Sequence, residues 1–336
     1  MLIVTGCCGF VGTRLTQRLL ADGYDVIGID SFYRAGASSN LNSLLAESES
    51  SRSFRFIQAD IATLDLSFVN SDVTAIFHLA GQVAMTKSIE NPLYDFKANA
   101  LSTLRLLEAM RINCPHATFI YASTNKVYGD LEALVYNEAE TRYECSSHPR
   151  GFDETLPLDF SSPYGCSKGA ADQYVRDYSR IFGLRTFVFR HSTIYGLGQN
   201  SSYDQGWVGW FLSQVARTAV DPNHRFTISG SGKQVRDILH VDDVCNLYER
   251  VAFGESQSLL SNIGGGESNS LSIIELLRYA CGFFGLSFEK LNINYLPVRV
   301  SDQKVFISSN RGVKNLWNPV TTSERGLTEI LVGLRN

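Results

Sequence analysis

Leu2-Ile3-Val4-Thr5-Gly6-Cys7-Cys8-Gly9-Phe10-Val11-Gly12 is the stretch that decides the fold. Four strand-favouring residues run into glycines spaced G-x-x-G-x-x-G, and an apolar helical pattern follows from Phe10. A strand that turns sharply into a helix leaves free backbone N–H groups and the positive end of the helix dipole facing outward, a cradle for a pyrophosphate. Glycine lets the backbone turn and approach the phosphates closely. The spacing departs from the G-x-G-x-x-G of the usual dinucleotide fingerprint.

Outward from this turn, short β-rich runs alternate with amphipathic stretches. Leu2–Thr5, Tyr24–Asp30, Phe54–Gln58, Ala75–Leu79, Thr118–Ala122 and Thr186–Arg190 are the expected strands. Such alternation predicts β-α-β units and an α/β fold, a doubly wound parallel Rossmann-type sheet. Leu101, Leu104 and Leu107 share one helical face, and Lys168–Phe182 is a helix stopped by Gly183. After Arg190 the alternation breaks. A helix over Gly206–Val220, short strands and Gly264-Gly265-Gly266 predict a smaller α/β substrate-binding cap. The expected division is residues 1–190 plus about 240–262 for the cofactor domain, and about 191–239 plus 263–336 for the cap. Glu47–Ser53 is expected to be a solvated loop, and Leu131–Leu156 a long polar insertion without a clear element.

The 336 residues are 44% hydrophobic, enough for more than one compact core. A net charge of -4 argues against nucleic-acid or membrane partners, both of which are anionic. No apolar run reaches the roughly 18 residues needed to span a bilayer, and the start lacks a basic flank, so a cytoplasmic protein is expected. Cys7, Cys8, Cys114, Cys145, Cys166, Cys245 and Cys281 form no C-x-x-C pair, which predicts reduced thiols and no metal site.

Asp30 closes the second strand, where a carboxylate accepts hydrogen bonds from the adenosine ribose hydroxyls and repels a 2′-phosphate. NAD is therefore expected rather than NADP, although Arg34 offers a guanidinium for such a phosphate. Tyr164-Gly165-Cys166-Ser167-Lys168 puts a phenol and an ammonium one helical turn apart, on one face. A phenol near pKa about 10 needs neighbouring cations to become a base at neutral pH, and Lys168 is the expected one. Ser123-Thr124, ending a strand, offers a hydroxyl for the reacting oxygen, with Thr124 preferred.

Together these motifs resemble the extended short-chain dehydrogenase/reductase family, with Thr124, Tyr164 and Lys168 as its Ser/Thr-Tyr-Lys triad. The resemblance implies cofactor contacts from Gly6, Gly9, Phe10, Val11, Gly12, Asp30 and Arg34. It adds Asp60 and Ile61 at the adenine, and the turn Leu79-Ala80-Gly81-Gln82 with Asn99, alongside Tyr164 and Lys168. Gly232 to Asp237 followed by His240-Val241-Asp242-Asp243 is similar to the family's R-D-x-x-H-V-x-D signature. Arg236 and Arg299 would then clasp a substrate diphosphate and Asp302 a ribose. His240 and Asp243 fit structural roles. Members that eliminate water carry an Asp-Glu pair where this chain has Asn125-Lys126, which disfavours elimination.

The strings from His78 to Thr86, Ser123 to Gly129, Ser162 to Tyr174 and Tyr203 to Phe211 resemble a narrower group, epimerases acting at C2 of CDP-activated 3,6-dideoxyhexoses. That likeness implies a CDP-dideoxyhexose partner, a role in O-antigen lipopolysaccharide synthesis and a homo-oligomer. Gln82, Thr86, Ser123, Thr124, His191 and Gln205 would line the sugar pocket. Two other readings are a UDP-hexose 4-epimerase and a non-catalytic NAD-binding scaffold.

Overall fold

The computed structural model describes residues 1–48, 53–299 and 302–335. The chain clusters into two compact units, one of residues 1–127, 162–190 and 244–261, the other of 128–161, 191–243 and 262–336. Residues 128–161, expected with the first unit, cluster with the second.

The first unit is built on a seven-stranded sheet: β1 (Leu2–Thr5), β2 (Val26–Asp30), β3 (Phe54–Gln58), β4 (Ala75–His78), β5 (Thr118–Thr124), β6 (Arg185–His191) and β7 (Leu259–Ile263). Their order is β7-β6-β5-β4-β1-β2-β3. β1 pairs in parallel with β2 and β4, β2 with β3, and β4 with β5. The strand order reverses between β1 and β4, so the loops leaving these two strands open a crevice where such sheets bind ligands. Every residue of β1 and β4 is buried, as a sheet covered on both faces requires.

The helices of this unit are α1 (Phe10–Ala21), α2 (Ala37–Ser48), α3 (Met85–Glu90), α4 (Pro92–Phe96), α5 (Ser102–Asn113) and α6 (Ser162–Phe182). The core joins Ile3, Ile29, Ile76, Phe119 and Val188 of the sheet to Leu106, Leu107 and Met110 of α5 and Val175 of α6. The expected stripe of Leu101, Leu104 and Leu107 is therefore shifted. Lys97–Leu101 forms a π-helical turn ahead of α5, and its wider spacing rotates the residues that follow. α6 starts at Ser162, earlier than expected, so Tyr164 and Lys168 both lie on it, and it ends before Gly183 at φ +68°. The expected Glu47–Ser53 loop starts inside α2, and residues 49–52 lie outside the described residues.

In the second unit, strand Val235–His240 pairs in parallel with Thr193–Tyr195 and Val305–Phe306, and antiparallel with Ser270–Ser272. Helix Trp207–Val220 packs Phe211, Leu212 and Val215 into a second core with Phe226, Ile238, Leu276 and Leu277. The 131–156 insertion is structured. Tyr136–Glu138 and Tyr143–Cys145 make an antiparallel hairpin. Arg142, beside its turn, grips Glu275 at 2.5 and 2.8 Å, and Phe152 N–H donates to the Ile307 carbonyl at 2.7 Å. Strands of three residues are too short to show a period in the sequence. No helix among the described residues is long and apolar enough to cross a membrane.

Candidate active site

The glycine turn leaves no room for side chains. Gly6 has φ +69°, and a Cβ on it would stand 2.8 Å from Ala80 N. A Cβ on Gly12 would stand 2.0 Å from the Gly6 carbonyl oxygen. Phe10 and Val11, half-buried, open α1. At the end of β2, the Asp30 carboxylate accepts from Cys8 N–H at 3.1 Å and Phe32 N–H at 2.9 Å, which fixes its direction. Arg34 is half-buried nearby; burial lowers its pKa, and the closeness of Tyr164 and Asp30 opposes this.

The cysteines are less scattered than expected. Cys7 and Cys8 Sγ lie 3.7 Å apart, and with an Asp30 oxygen their ligand atoms fall within 4.8 Å of one another. Hydrogen bonding to Cys8 and burial push the Cys7 thiol far up, which keeps it neutral. A metal binds the thiolate, so this group is not assigned as a metal site.

Other expected cofactor contacts divide in two. Asp60 is exposed and accepts from Ala62 N–H at 2.9 Å in a local turn, whereas Ile61 is 4% exposed, with its side chain in the core. Leu79 and Ala80 N–H both donate to Thr5 Oγ1, at 3.2 and 3.1 Å. A Cβ on Gly81 would stand 2.6 Å from Asn99 Oδ1. Asn99 sits on the π-helical turn; its Nδ2 donates to Gln82 O and Ser167 Oγ, and its buried Oδ1 has no hydrogen-bond partner. An open acceptor beside a glycine turn without side-chain room fits a dinucleotide. His78 is buried between Thr5 Oγ1 at 2.8 Å and Thr103 Oγ1 at 2.9 Å, a neutral structural residue that burial holds down to about 3.

Thr124, Tyr164 and Lys168 are each less than a tenth exposed, and Thr124 Oγ1 donates to Asn125 Oδ1 at 3.4 Å and accepts from Lys126 N–H at 3.2 Å. The electrostatics differ from the expectation. Lys168 Nζ donates to the Ala122 carbonyl at 2.5 Å and lies 4.3 Å over the Tyr121 ring. Burial pushes the Tyr164 phenol up to about 12; Thr124 and Arg34 pull it down, and Asp95 pushes it further up. Burial likewise pushes Lys168 down to about 7. Taking both groups out of water disfavours the charged form of each, so in the chain alone the lysine does not ionise the phenol.

Two expected sugar ligands are occupied within the protein. Ser123 Oγ donates to Asp172 Oδ2 at 2.7 Å, and Asp172 also forks onto Arg190 at 2.8 and 2.9 Å. Gln82 Nε2 donates to Ala84 O and Asp95 Oδ1, while its Oε1 accepts from Ala84 N–H. Thr86 Oγ1, by contrast, is buried with no hydrogen-bond partner. Sequence reasoning missed Asp95, Asp172 and Arg190, because a charged residue ordinarily faces water.

In the second unit, Arg236 Nη2 donates to Asp302 Oδ1 at 2.8 Å. Arg299 lies 4.2 Å over the Tyr203 ring and donates to Tyr203 O at 3.1 Å. Arg299 and Asp302 line a cavity of about 510 Å³ with Tyr136, Tyr143, Gln234 and Lys304. His191 is buried at the end of β6, and Gln205 is held through its backbone to Ser202 at 2.8 and 3.1 Å. Asp243 accepts from Val320 and Thr321 N–H, a structural role as expected.

A parallel sheet with a glycine turn at β1, an acid closing β2 and a Thr-Tyr-Lys constellation defines an NAD-using Rossmann-type enzyme. The chain belongs to the NAD dependent epimerase/dehydratase family, whose model matches residues 2–254. It is 46% identical, over 98% of its length and 97% of the relative's, to a CDP-paratose 2-epimerase of Salmonella typhi. A UDP-glucose 4-epimerase from Thermotoga maritima, solved with UDP-glucose, superposes with a TM-score of 0.79 at 27% identity, covering 99% of this chain and 98% of that one. A UDP-glucuronic acid 4-epimerase from Bacillus cereus, solved with UDP-glucuronic acid and NAD, gives 0.80 at 25% identity, covering 99% and 98%.

Proposed function

We propose that this chain epimerises C2 of a CDP-3,6-dideoxyhexose, converting CDP-paratose to CDP-tyvelose through a 2-keto sugar. The observation that carries the reading is the 46% identity to a CDP-paratose 2-epimerase over nearly the whole of both chains. The glycine turn, Asp30 and Asn99 would hold NAD, which would supply reversible hydride acceptance at C2, so that no net oxidation would occur. Tyr164 takes the proton of the C2 hydroxyl as the hydride leaves and gives it back in the second half-reaction, while Thr124 holds the reacting oxygen. A phenol that burial pushes up to about 12 needs preferential stabilisation of its phenolate to work as a base near neutrality. Lys168 binds the nicotinamide ribose and adds to that stabilisation when protonated.

Arg236 and Arg299 hold the diphosphate, and Asp302 the ribose. Asn125 and Lys126 follow Thr124, so the chain lacks the paired acids that elimination needs there, which favours epimerisation. The reading also takes the protein to be cytoplasmic, to supply O-antigen assembly, and to be a homo-oligomer. Exposed Ile112, Tyr174, Ile181 and Phe182 on α5 and α6 support self-association, which light scattering tests.

The deciding experiment incubates the protein with CDP-paratose, with and without added NAD, and follows the anomeric and H2 signals by NMR. Appearance of CDP-tyvelose is expected. Interconversion of UDP-glucose and UDP-galactose, with CDP-paratose untouched, would replace the substrate assignment by a 4-epimerase. Bound NAD with no turnover of either would leave a scaffold.

A further inference from the structure

The proposed mechanism leaves one buried carboxylate without a task. Asp95, on α4, has no solvent exposure. Its Oδ1 accepts from Gln82 Nε2 at 2.9 Å and Asn99 Nδ2 at 3.2 Å, and Ser167 Oγ donates to its Oδ2. Burial raises its pKa, and the hydrogen bonds from Ser167 and Gln82, the charge of Lys168 and the Asn99 hydrogen bond oppose that rise; three donors on one carboxylate favour the ionised form. None of the three carries a charge, and among the described residues Asp95 forms no ion pair. A bare buried carboxylate is costly unless a cation answers it.

The cation that answers it is one residue along α6 from Ser167. Lys168 Nζ is bound to a neutral carbonyl and rests on the Tyr121 ring, with no carboxylate in contact. The other acid near it, Asp172, is already matched by the two-pronged contact with Arg190. Two anions and two cations are thus buried together, and the pairing of Asp172 with Arg190 leaves Asp95 to Lys168. The remaining titratable groups around the ammonium are His78 on β4, Tyr121 on β5 and Tyr164 on α6; burial keeps the first two in their neutral forms. Asn99, bound to Asp95 through Nδ2 at 3.2 Å, and Lys168 flank the same glycine, since a Cβ on Gly81 would lie 2.6 Å from Asn99 Oδ1 and 4.0 Å from Lys168 Nζ.

We propose that Asp95 is a positioning residue that serves as the counter-charge of Lys168 and sets the pH range in which the Tyr164–Lys168 pair works. It acts on the two members in opposite senses. Burial draws Lys168 down to about 7, and Asp172 and Asp95 hold it up. The same Asp95 charge opposes ionisation of Tyr164. Removing it eases loss of a proton from both groups. The inference rests on the catalytic assignment of Tyr164 and Lys168.

The test is the pH profile of kcat/KM for the NAD-loaded enzyme, which reports the ionisations of its free form. In Asp95→Asn both limbs are expected to move toward acid by about one pH unit, the usual effect of removing a nearby charge. Ser167→Ala keeps every charge and is expected to lower kcat with both limbs in place. Limbs of Asp95→Asn that coincide with wild type, whatever the loss in kcat, overturn the proposal. If Asp95→Asn does not fold, Asp95→Ser is read the same way. Tyr164→Phe separates the two ideas: full activity in that variant removes the catalytic assignment itself, independently of the Asp95 profile.

Discussion

Arg236 and Asp302 are each other's partners, joined at 2.8 Å with side chains only 11% and 22% exposed. The family resemblance implies different parts of one ligand for them, the diphosphate and the ribose. In the chain alone the carboxylate holds the guanidinium fork in place, and Arg236 Nη1 is fixed to the Val235 carbonyl at 2.7 Å. Arg236→Ala is expected to raise KM for the nucleotide sugar about 10- to 100-fold, the loss of one charge-assisted contact, with kcat changed much less. Arg236→Lys should recover only part, since an ammonium cannot reproduce the fork. Steady-state kinetics decide; an unchanged KM in Arg236→Ala would remove the diphosphate role.

Gly12→Ala should weaken NAD binding. The new Cβ would meet the Gly6 carbonyl oxygen at 2.0 Å and its carbon at 2.8 Å, both backbone atoms of the glycine turn after β1. Overpacking of this kind costs about 1–3 kcal/mol, roughly 10- to 100-fold in affinity if it falls on the bound form. Gly282→Ala is the control, because nothing lies within 4 Å of its Cβ and it sits inside helix Ile273–Phe284. It should leave NAD affinity unchanged and raise stability by up to about 1 kcal/mol. Fluorescence titration with NAD measures the first and thermal unfolding the second.

The sheet was legible because buried parallel strands are continuous apolar runs. Ile3, Ile29, Ile76 and Phe119 lie in the expected strands and in the core. The placing of Tyr164 and Lys168 on one helix was legible because an i, i+4 spacing is a local rule, and α6 holds both. What depends on through-space contacts was not legible. The π-helical turn at Lys97–Leu101 leaves no mark in composition, so Leu101 falls outside the core that Leu104 and Leu107 join. Ser123 and Gln82 look like sugar ligands in sequence, yet Asp172 and Asp95 claim their polar atoms. The sense of the Tyr164 shift was missed because burial, which sequence does not measure, outweighs the neighbouring charges.

His78 makes stability depend on pH in a defined window. Burial holds its folded-state pKa at about 3, against about 6.5 when unfolded. The folded pKa is the lower one, so the unfolded chain binds the extra proton first. Stability is complete above about 6.5 and falls as pH drops toward about 3, by up to about 1.4 kcal/mol per unit. Lys168 adds nothing below about 7, where it is charged in both states. His78→Asn keeps polar atoms toward Thr5 and Thr103 without a proton to gain. It should lose stability at pH 7.5 but show a flatter decline between pH 6 and 4 in thermal unfolding; a decline as steep as wild type would assign the acid sensitivity elsewhere.

Asp172 and Arg190 are 0% and 1% exposed at their side chains and meet in two-pronged geometry at 2.8 and 2.9 Å. Asp172 also receives the Ser123 hydroxyl, so α6, β5 and β6 are tied at one point. Asp172→Ala strands a guanidinium in the core, and breaking such a buried pair costs about 3–5 kcal/mol. The penalty comes chiefly from the unanswered charge rather than from the lost attraction. Asp172→Ala with Arg190→Met removes both charges and is therefore expected to regain most of the loss, a coupling of about 2 kcal/mol or more in a double-mutant cycle. Urea unfolding of the four proteins supplies the cycle, and a double variant no more stable than Asp172→Ala would show that packing, not charge, makes this junction matter.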